Sequence, residues 1–172
     1  MVSQESFVIV KCSNCSFEFT NPRPKKETLG QFYQSTSYIS HSNNINNPVD
    51  LIYRIARFFT LRAKLRLLKK YHQNGHILDY GCGTGAFLKT CKKNDYQITG
   101  IELDEKTRHV AQQSLSTQIL ADITNIPPSQ SFEIITLWHV LEHVTDLNAI
   151  IDQLKKKLAK NGKLIVAVPN LA

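Results

Sequence analysis

The residues best equipped for chemistry lie between Asp79 and Glu102. The stretch Ile77-Leu78-Asp79-Tyr80-Gly81-Cys82-Gly83-Thr84-Gly85 runs an apolar segment into three glycines, and Ala86-Phe87-Leu88 then reads as the opening of a helix. Glycine is required where the chain takes a positive φ or where backbone must approach a ligand closely. A helix starting directly after such a turn offers its unpaired N–H groups to whatever lies in front of it. Glu102, 17 residues past Gly85, ends the next apolar segment, where a carboxylate accepts from a ribose diol in a doubly wound nucleotide-binding fold. The spacing is GxGxG, whereas the dinucleotide fingerprint GxGxxG puts its third glycine one residue later. Asp79 separates the two chemistries: a carboxylate there repels a pyrophosphate and suits a ligand carrying an ammonium group. S-adenosylmethionine (SAM) has an ammonium on its methionine part and a cationic sulfonium, so charge favours SAM over NAD.

Two further groups of residues have chemical potential. His139-Val140-Leu141-Glu142-His143 matches H-x-x-E-H, a zinc-protease pattern that needs one uninterrupted helix and a third ligand. His139 follows an apolar strand directly, so the pattern is read as local capping and packing by Glu142 and His143. His139 is the one candidate general base, since imidazole titrates near neutral pH. Cys12-Ser13-Asn14-Cys15 is half of a tetrahedral zinc site; His41 is one conceivable third ligand, and Cys82 and Cys91 belong to a different part of the chain. No metal is expected, and the thiols are read as free.

These residues must be positioned by the elements around them. Residues 1–47 form a lead segment that is poor in strands and ends in the polar tract His41–Asn47. Residues 49–71 have helical periodicity, with Ile52, Ile55, Ala56, Phe59, Ala63 and Leu67 as the apolar face. From His76 onward strand and helix alternate: strands at His76–Tyr80, Gln97–Ile101, Gln118–Leu120, Phe132–Leu137 and Lys163–Val168, with helices at Ala86–Lys93, Glu105–Ser114 and from Leu147 to a stop at Asn161-Gly162. Continuous apolar strands alternating with helices predict an α/β fold, a three-layer α/β/α sandwich around a mostly parallel sheet. The domain boundary is placed between residues 47 and 48. A sheet ending after its fifth strand leaves an edge that must be covered or paired, for example in a homodimer, and the chain is read as one that could continue.

Composition narrows the class. Hydrophobic residues make up 42% and charged residues 20% of 172, an ordinary globular balance. No apolar run approaches the roughly 18 residues of a membrane span, no signal peptide is visible, and four cysteines do not make a disulfide framework in a chain this long. A cytoplasmic protein without membrane partners is expected. The net charge of +7 resides in Arg54, Arg57, Arg62, Lys64, Arg66, Lys69 and Lys70, because the remaining basic residues balance the acidic ones. That stripe is read as a solvated helix face, with nucleic acid, an anionic lipid surface or an acidic substrate as its alternative partners.

Residues 76–170 resemble the class I SAM-dependent methyltransferases. The likeness rests on ILDYGCGTGAFL, on Gly100–Asp104 (GIELD), on Ala121-Asp122-Ile123 and on Ile135–Val144 (ITLWHVLEHV). The Leu141-Glu142-His143 triplet is similar to the branch that contains the ubiquinone-biosynthesis O-methyltransferases. The resemblance implies a Rossmann-like sheet of order 3-2-1-4-5 with SAM across the strand ends. It implies that Asp79, Tyr80, Gly81, Gly83 and Gly85 hold the methionine part and that Glu102 binds the ribose. Asp122 would meet the adenine amino group, Leu103 and Ile123 the ring faces, and Trp138 and His139 the inner side of the cofactor. The segment from Lys11 resembles one that completes a zinc ribbon with an earlier CxxC in relatives; here only about ten residues precede Cys12. The expected activity is methyl transfer to oxygen or nitrogen of a small molecule. An RNA-modifying enzyme using the Arg54–Lys70 stripe and a SAM-binding domain without turnover are the competing expectations.

Overall fold

The computed structural model describes residues 8–22 and 48–169. The expected polar tract at 41–47 and the conceivable ligand His41 lie outside the described residues. Two units are taken in turn. In the first, β1 (Ile9–Lys11) pairs antiparallel with β2 (Glu18–Thr20). The tight connection holds both cysteines: Cys12 N–H donates to Phe17 O at 2.8 Å, Ser16 N–H donates to Cys12 O at 2.9 Å, and Ser16 takes φ 60. Cys12 and Cys15 are free thiols.

The second unit carries the sheet. Its elements are α1 (Pro48–Lys69), β3 (Gly75–Tyr80), α2 (Ala86–Lys92), β4 (Tyr96–Ile101), α3 (Glu105–Leu115), β5 (Phe132–Trp138), α4 (Leu147–Lys157) and β6 (Leu158–Ala167). Hydrogen-bonded order is β4-β3-β5-β6, with every pair parallel. Beyond β4 the expected strand at Gln118–Leu120 contracts to one bridge, Ile101 to Leu120, closed by Leu120 N–H to Gly100 O and Glu102 N–H to Leu120 O. With that bridge as its outermost member, the order is the expected 3-2-1-4-5. A groove of about 670 Å³ opens beside the β4 edge, lined in part by Ile98, Thr99, Gln112 and Gln118.

Side chains alternate across the sheet. Ile77 and Ile134 pack with Leu68 of α1, Phe87, Leu88 and Cys91 of α2, and Ala111 and Leu115 of α3. Leu78, Tyr80, Ile135 and Leu137 face the other way, onto Ile123, Ile126, Ile150 and Leu154. The central strand is therefore buried on both faces, which is why β3 reads as an unbroken apolar run. Among the described residues no helix is long and apolar enough to cross a membrane.

Three expectations are corrected. The apolar face assigned to α1 is the outer one: Ile52, Ile55 and Phe59 are 68%, 50% and 64% exposed, while Leu61, Leu65 and Leu68 meet the core. Both sets share the helical period, and the sheet selects the second. The helix at Leu147 ends at Lys157 rather than at Asn161-Gly162, because Leu158 already pairs with Phe132. Asn161, at φ 68, instead turns the backbone within a bulge before pairing resumes at Ile134 and Lys163. Glu142 and His143 do not cap α4: they lie in a 3-10 turn (Leu141–His143), and Asp146 accepts from Ala149 N–H at 3.0 Å as the cap.

The α1 assignment is directly testable. Leu68→Ala should cost about 2–5 kcal/mol in urea unfolding, whereas Phe59→Ala should stay within about 0.5 kcal/mol. Equal losses would mean that the helix buries its other face.

Candidate active site

Asp79 is the last residue but one of β3 and is buried, with 2% of its surface exposed. It faces Thr136 across the β3–β5 register, and Thr136 Oγ1 donates to Asp79 Oδ1 at 2.6 Å. The carboxyl is raised to about 7, chiefly by removal from water, against the downward pull of the Thr136 bond and the Lys64 charge and with a further push from Glu102. After Tyr80 the chain turns through Gly81, Gly83 and Gly85 at φ 75, 55 and 78, a region closed to most side chains. Gly81 and Cys82 N–H both donate to Ile101 O, at 2.8 and 2.9 Å, which ties the turn to the end of β4. A Cβ on Gly81 would lie 2.5 Å from Val140, but one on Gly83 would meet nothing within 4 Å. Gly85 begins α2 without any side-chain cap, so the first N–H groups of that helix remain available to a ligand.

Glu102 folds back on the loop. Its Oε2 accepts from Gly83 N–H at 2.8 Å and its Oε1 from Asp104 N–H at 3.1 Å. Each oxygen keeps a lone pair for a further donor. Asp122 caps the 3-10 turn Ile123–Asn125, taking Thr124 N–H at 2.8 Å and Thr124 Oγ1 at 2.7 Å on one oxygen. Those bonds hold its carboxyl below the ordinary value. Leu103 is 63% exposed and offers a free apolar surface, whereas Ile123 is buried at 3% and has little surface to lend to a ligand ring. The Tyr80 side chain likewise packs into the core on the α4 side, so only its backbone borders the turn.

Trp138 ends β5 on the same face as Thr136. Its ring meets Phe87 of α2 edge-to-face at 5.5 Å, and its Nε1 is a buried donor with no partner among the described residues. Lys64 of α1 places its ammonium 4.3 Å from the Trp138 ring centroid and 5.8 Å from that of Phe87. His139 takes φ 56 and donates its N–H to Ala167 O at 2.8 Å. Its ring is well exposed, with Nδ1 3.8 Å from Glu142 Oε1. A positive φ at His139 and a 3-10 turn after it separate the two histidines, so H-x-x-E-H does not lie on one helical face. Among the described residues no three potential ligands come together around a metal position.

The structure thus gathers Asp79, the glycine turn and Glu102 at the C-terminal ends of β3 and β4, with Trp138 and His139 at the end of β5. Thr136 and Lys64 join that group without having been anticipated. The only available signal was a threonine within the apolar run of β5, since nothing in the sequence sets Lys64 apart from the other basic residues of α1. The basic stripe is partly consumed by packing: Arg57 reaches Thr84 Oγ1 at 3.4 Å, Lys69 reaches Asn94 Oδ1 at 2.9 Å, and Arg62 lies over Phe58. The groove at the β4 edge contains none of the site residues.

The Asp79 environment has a pH signature. The folded chain holds a proton on this carboxyl at pH values where the unfolded chain has lost it, so the stability from this group is complete below 3.8 and is lost as pH rises through about 7. The unfolding free energy of the ligand-free protein should therefore fall between pH 5 and pH 8 relative to Asp79→Asn. Thr136→Val, which removes a bond favouring the charged form, should move the carboxyl midpoint upward in a carbon NMR titration. Parallel pH profiles for the wild type and Asp79→Asn would refute this account.

A family model described as a methyltransferase domain matches residues 51–172. The ubiquinone biosynthesis O-methyltransferase of Coxiella burnetii is 27% identical over 169 residues, covering 94% of this chain and 61% of that protein; the chain thus spans about three-fifths of that relative's length. The enzyme of the same name from Idiomarina loihiensis is 30% identical over 106 residues, covering 55% of this chain and 42% of that one. Among solved structures, magnesium protoporphyrin IX methyltransferase from Synechocystis PCC 6803 with bound SAM superposes with a TM-score of 0.60 at 18% identity, over 81% of this chain and 74% of that one. The sugar N-methyltransferase KedS8 from Streptoalloteichus gives 0.57 at 20% identity, over 74% and 56%. Shared fold and matched sequence converge, and the chain belongs to the methyltransferase-domain family.

Proposed function

We propose that this chain binds SAM and transfers its methyl group to an oxygen or nitrogen atom of a small-molecule acceptor. The observation that carries the reading is a buried carboxyl, Asp79, set beside a positive-φ glycine turn whose central position, Gly83, faces open space. A carboxyl that sits near 7 in the ligand-free protein becomes a full carboxylate when an ammonium reaches it, since an opposite charge at short range favours ionisation. The first turn of α2 offers N–H donors next to it, and Glu102 has lone pairs left for ribose hydroxyls. The unpartnered Nε1 of Trp138 is a donor in want of an acceptor on the same side. These residues fit the cofactor's charges and hydrogen-bonding groups.

SAM supplies an electrophilic methyl carbon on a cationic sulfonium. The protein's share is to hold that carbon in line with the acceptor atom and to exclude water, and alignment alone lowers such a barrier substantially. His139, exposed beyond β5, is the candidate for taking a proton from a hydroxyl acceptor. The names of the relatives, an O-methyltransferase and a sugar N-methyltransferase among them, support an oxygen or nitrogen acceptor. The RNA reading weakens because three residues of the basic stripe, Arg57, Lys64 and Lys69, are engaged within their own domain.

Calorimetric titration with SAM and, separately, with NADH tests the cofactor. One-to-one binding of SAM alone is expected, and Asp79→Ala and Glu102→Ala should each weaken it by at least about 100-fold, the scale of losing a charged hydrogen-bonded partner. Unchanged affinity in both variants would refute the site assignment, and binding of NADH in place of SAM would refute the cofactor.

A further inference from the structure

Lys64 is an unusual resident of this site. It lies on α1 between Leu61, Leu65 and Leu68, the residues that fasten the helix to the core, so packing of the helix turns the lysine inward. Its side chain is half-buried, and its ammonium makes no hydrogen bond or ion pair among the described residues. It rests instead against two aromatic rings, at 4.3 Å from the Trp138 centroid and 5.8 Å from Phe87. Asp79, beyond ion-pair distance, is the one charged group that acts appreciably on it, while burial pulls its pKa down. A lysine kept for structural reasons finds an acceptor or extends its head to water. This one, among the described residues, finds no acceptor and lies instead over two rings.

Two aromatic faces and a buried carboxyl make a receptor for a cation. Under the proposed function, on which this inference rests, the same carboxyl receives the ammonium of the ligand. Two like charges cannot share one carboxylate in a weakly polar pocket without strong repulsion. We propose that Lys64 is a resident stand-in for the ligand's ammonium, occupying the box formed by Trp138, Phe87 and Asp79 in the free protein and displaced when ligand binds, so that it sets the affinity of the site. Its exit requires only rotation of the four-carbon stem, with no movement of α1. Lys64 thereby acts as a positioning residue: it keeps the box open and partly compensated until a better-placed cation arrives.

Trp138 is the sole tryptophan of the chain, so its emission reports on this box directly. Lys64→Met keeps length without charge, Lys64→Gln is a second neutral replacement, and Lys64→Arg keeps the charge. In fluorescence titrations of the full chain, SAM should bind Lys64→Met and Lys64→Gln about tenfold more tightly than the wild type, the scale of one desolvated cation–π contact. Lys64→Arg should restore wild-type affinity. Tenfold weaker binding in the neutral variants would show Lys64 gripping the ligand's carboxylate, and equal binding would show that it does not compete; either overturns the proposal. Methylammonium chloride, titrated without SAM, supplies an independent arm. It should perturb Trp138 emission in Lys64→Met at concentrations that leave the wild type unchanged, and an equal response in both proteins, or none in either, overturns the stand-in. If methylammonium behaves as expected while SAM binds neither protein, the SAM reading fails and the cation box stands.

Discussion

The hydrogen bond from Thr136 to Asp79 joins the two central strands at the point where chemistry begins. A carboxyl with 2% exposure is costly to bury without a partner, and a parallel register that sets Thr136 directly opposite supplies one at 2.6 Å. That bond fixes the direction of the carboxyl while leaving its second oxygen for an incoming donor. The same burial that raises its proton affinity also strengthens its attraction for a cation, since both follow from the loss of surrounding water. The rest of the site is arranged around this constraint.

The glycine turn and Glu102 form a mutual support. Ile101 O receives two loop N–H groups, and Glu102 Oε2 receives a third, from Gly83. The loop is thus held in its positive-φ path before any ligand is present, and little ordering remains to be done on binding. Glu102 is consequently both a candidate ligand contact and a structural strut. An isosteric Glu102→Gln would divide the two roles more cleanly than truncation does.

Much of this arrangement was legible in the sequence. Three glycines after an apolar strand admit few backbone paths, and a carboxylate two positions earlier selects among ligands by charge; both are local signals. The alternation of strand and helix was equally local and led to the α/β class, whereas the order of the sheet came from the resemblance to the class I methyltransferases. What escaped depended on distance. Thr136 lies 57 positions from Asp79, and only the β3–β5 register makes them neighbours. Lys64 was read as part of a solvated stripe because the outer apolar set of α1, Ile52, Ile55 and Phe59, has the same period as the inner leucines, and periodicity cannot say which face meets the sheet. The Asn161-Gly162 pair carries a stop signal that serves equally well in a strand bulge, and the pairing of Leu158 with Phe132 decided between them.

The alternation of side chains across the sheet also decides which substitutions the fold can absorb. Ile77, Asp79, Ile134, Thr136 and Trp138 point toward α1 and α2, while Leu78, Tyr80, Ile135 and Leu137 point toward α4. Both faces therefore serve cohesion along most of their length, Ile77 and Ile134 on the first included, and under the proposed function only Asp79, Thr136 and Trp138 of the first face border the ligand. Under the proposed function, exchanges confined to the strand ends of the first face would change what the pocket accepts, while the buried residues on both faces kept the sheet intact. Each central strand is thus divided along its length as well as across its faces, with its middle given to packing on both sides and its C-terminal end left to the pocket.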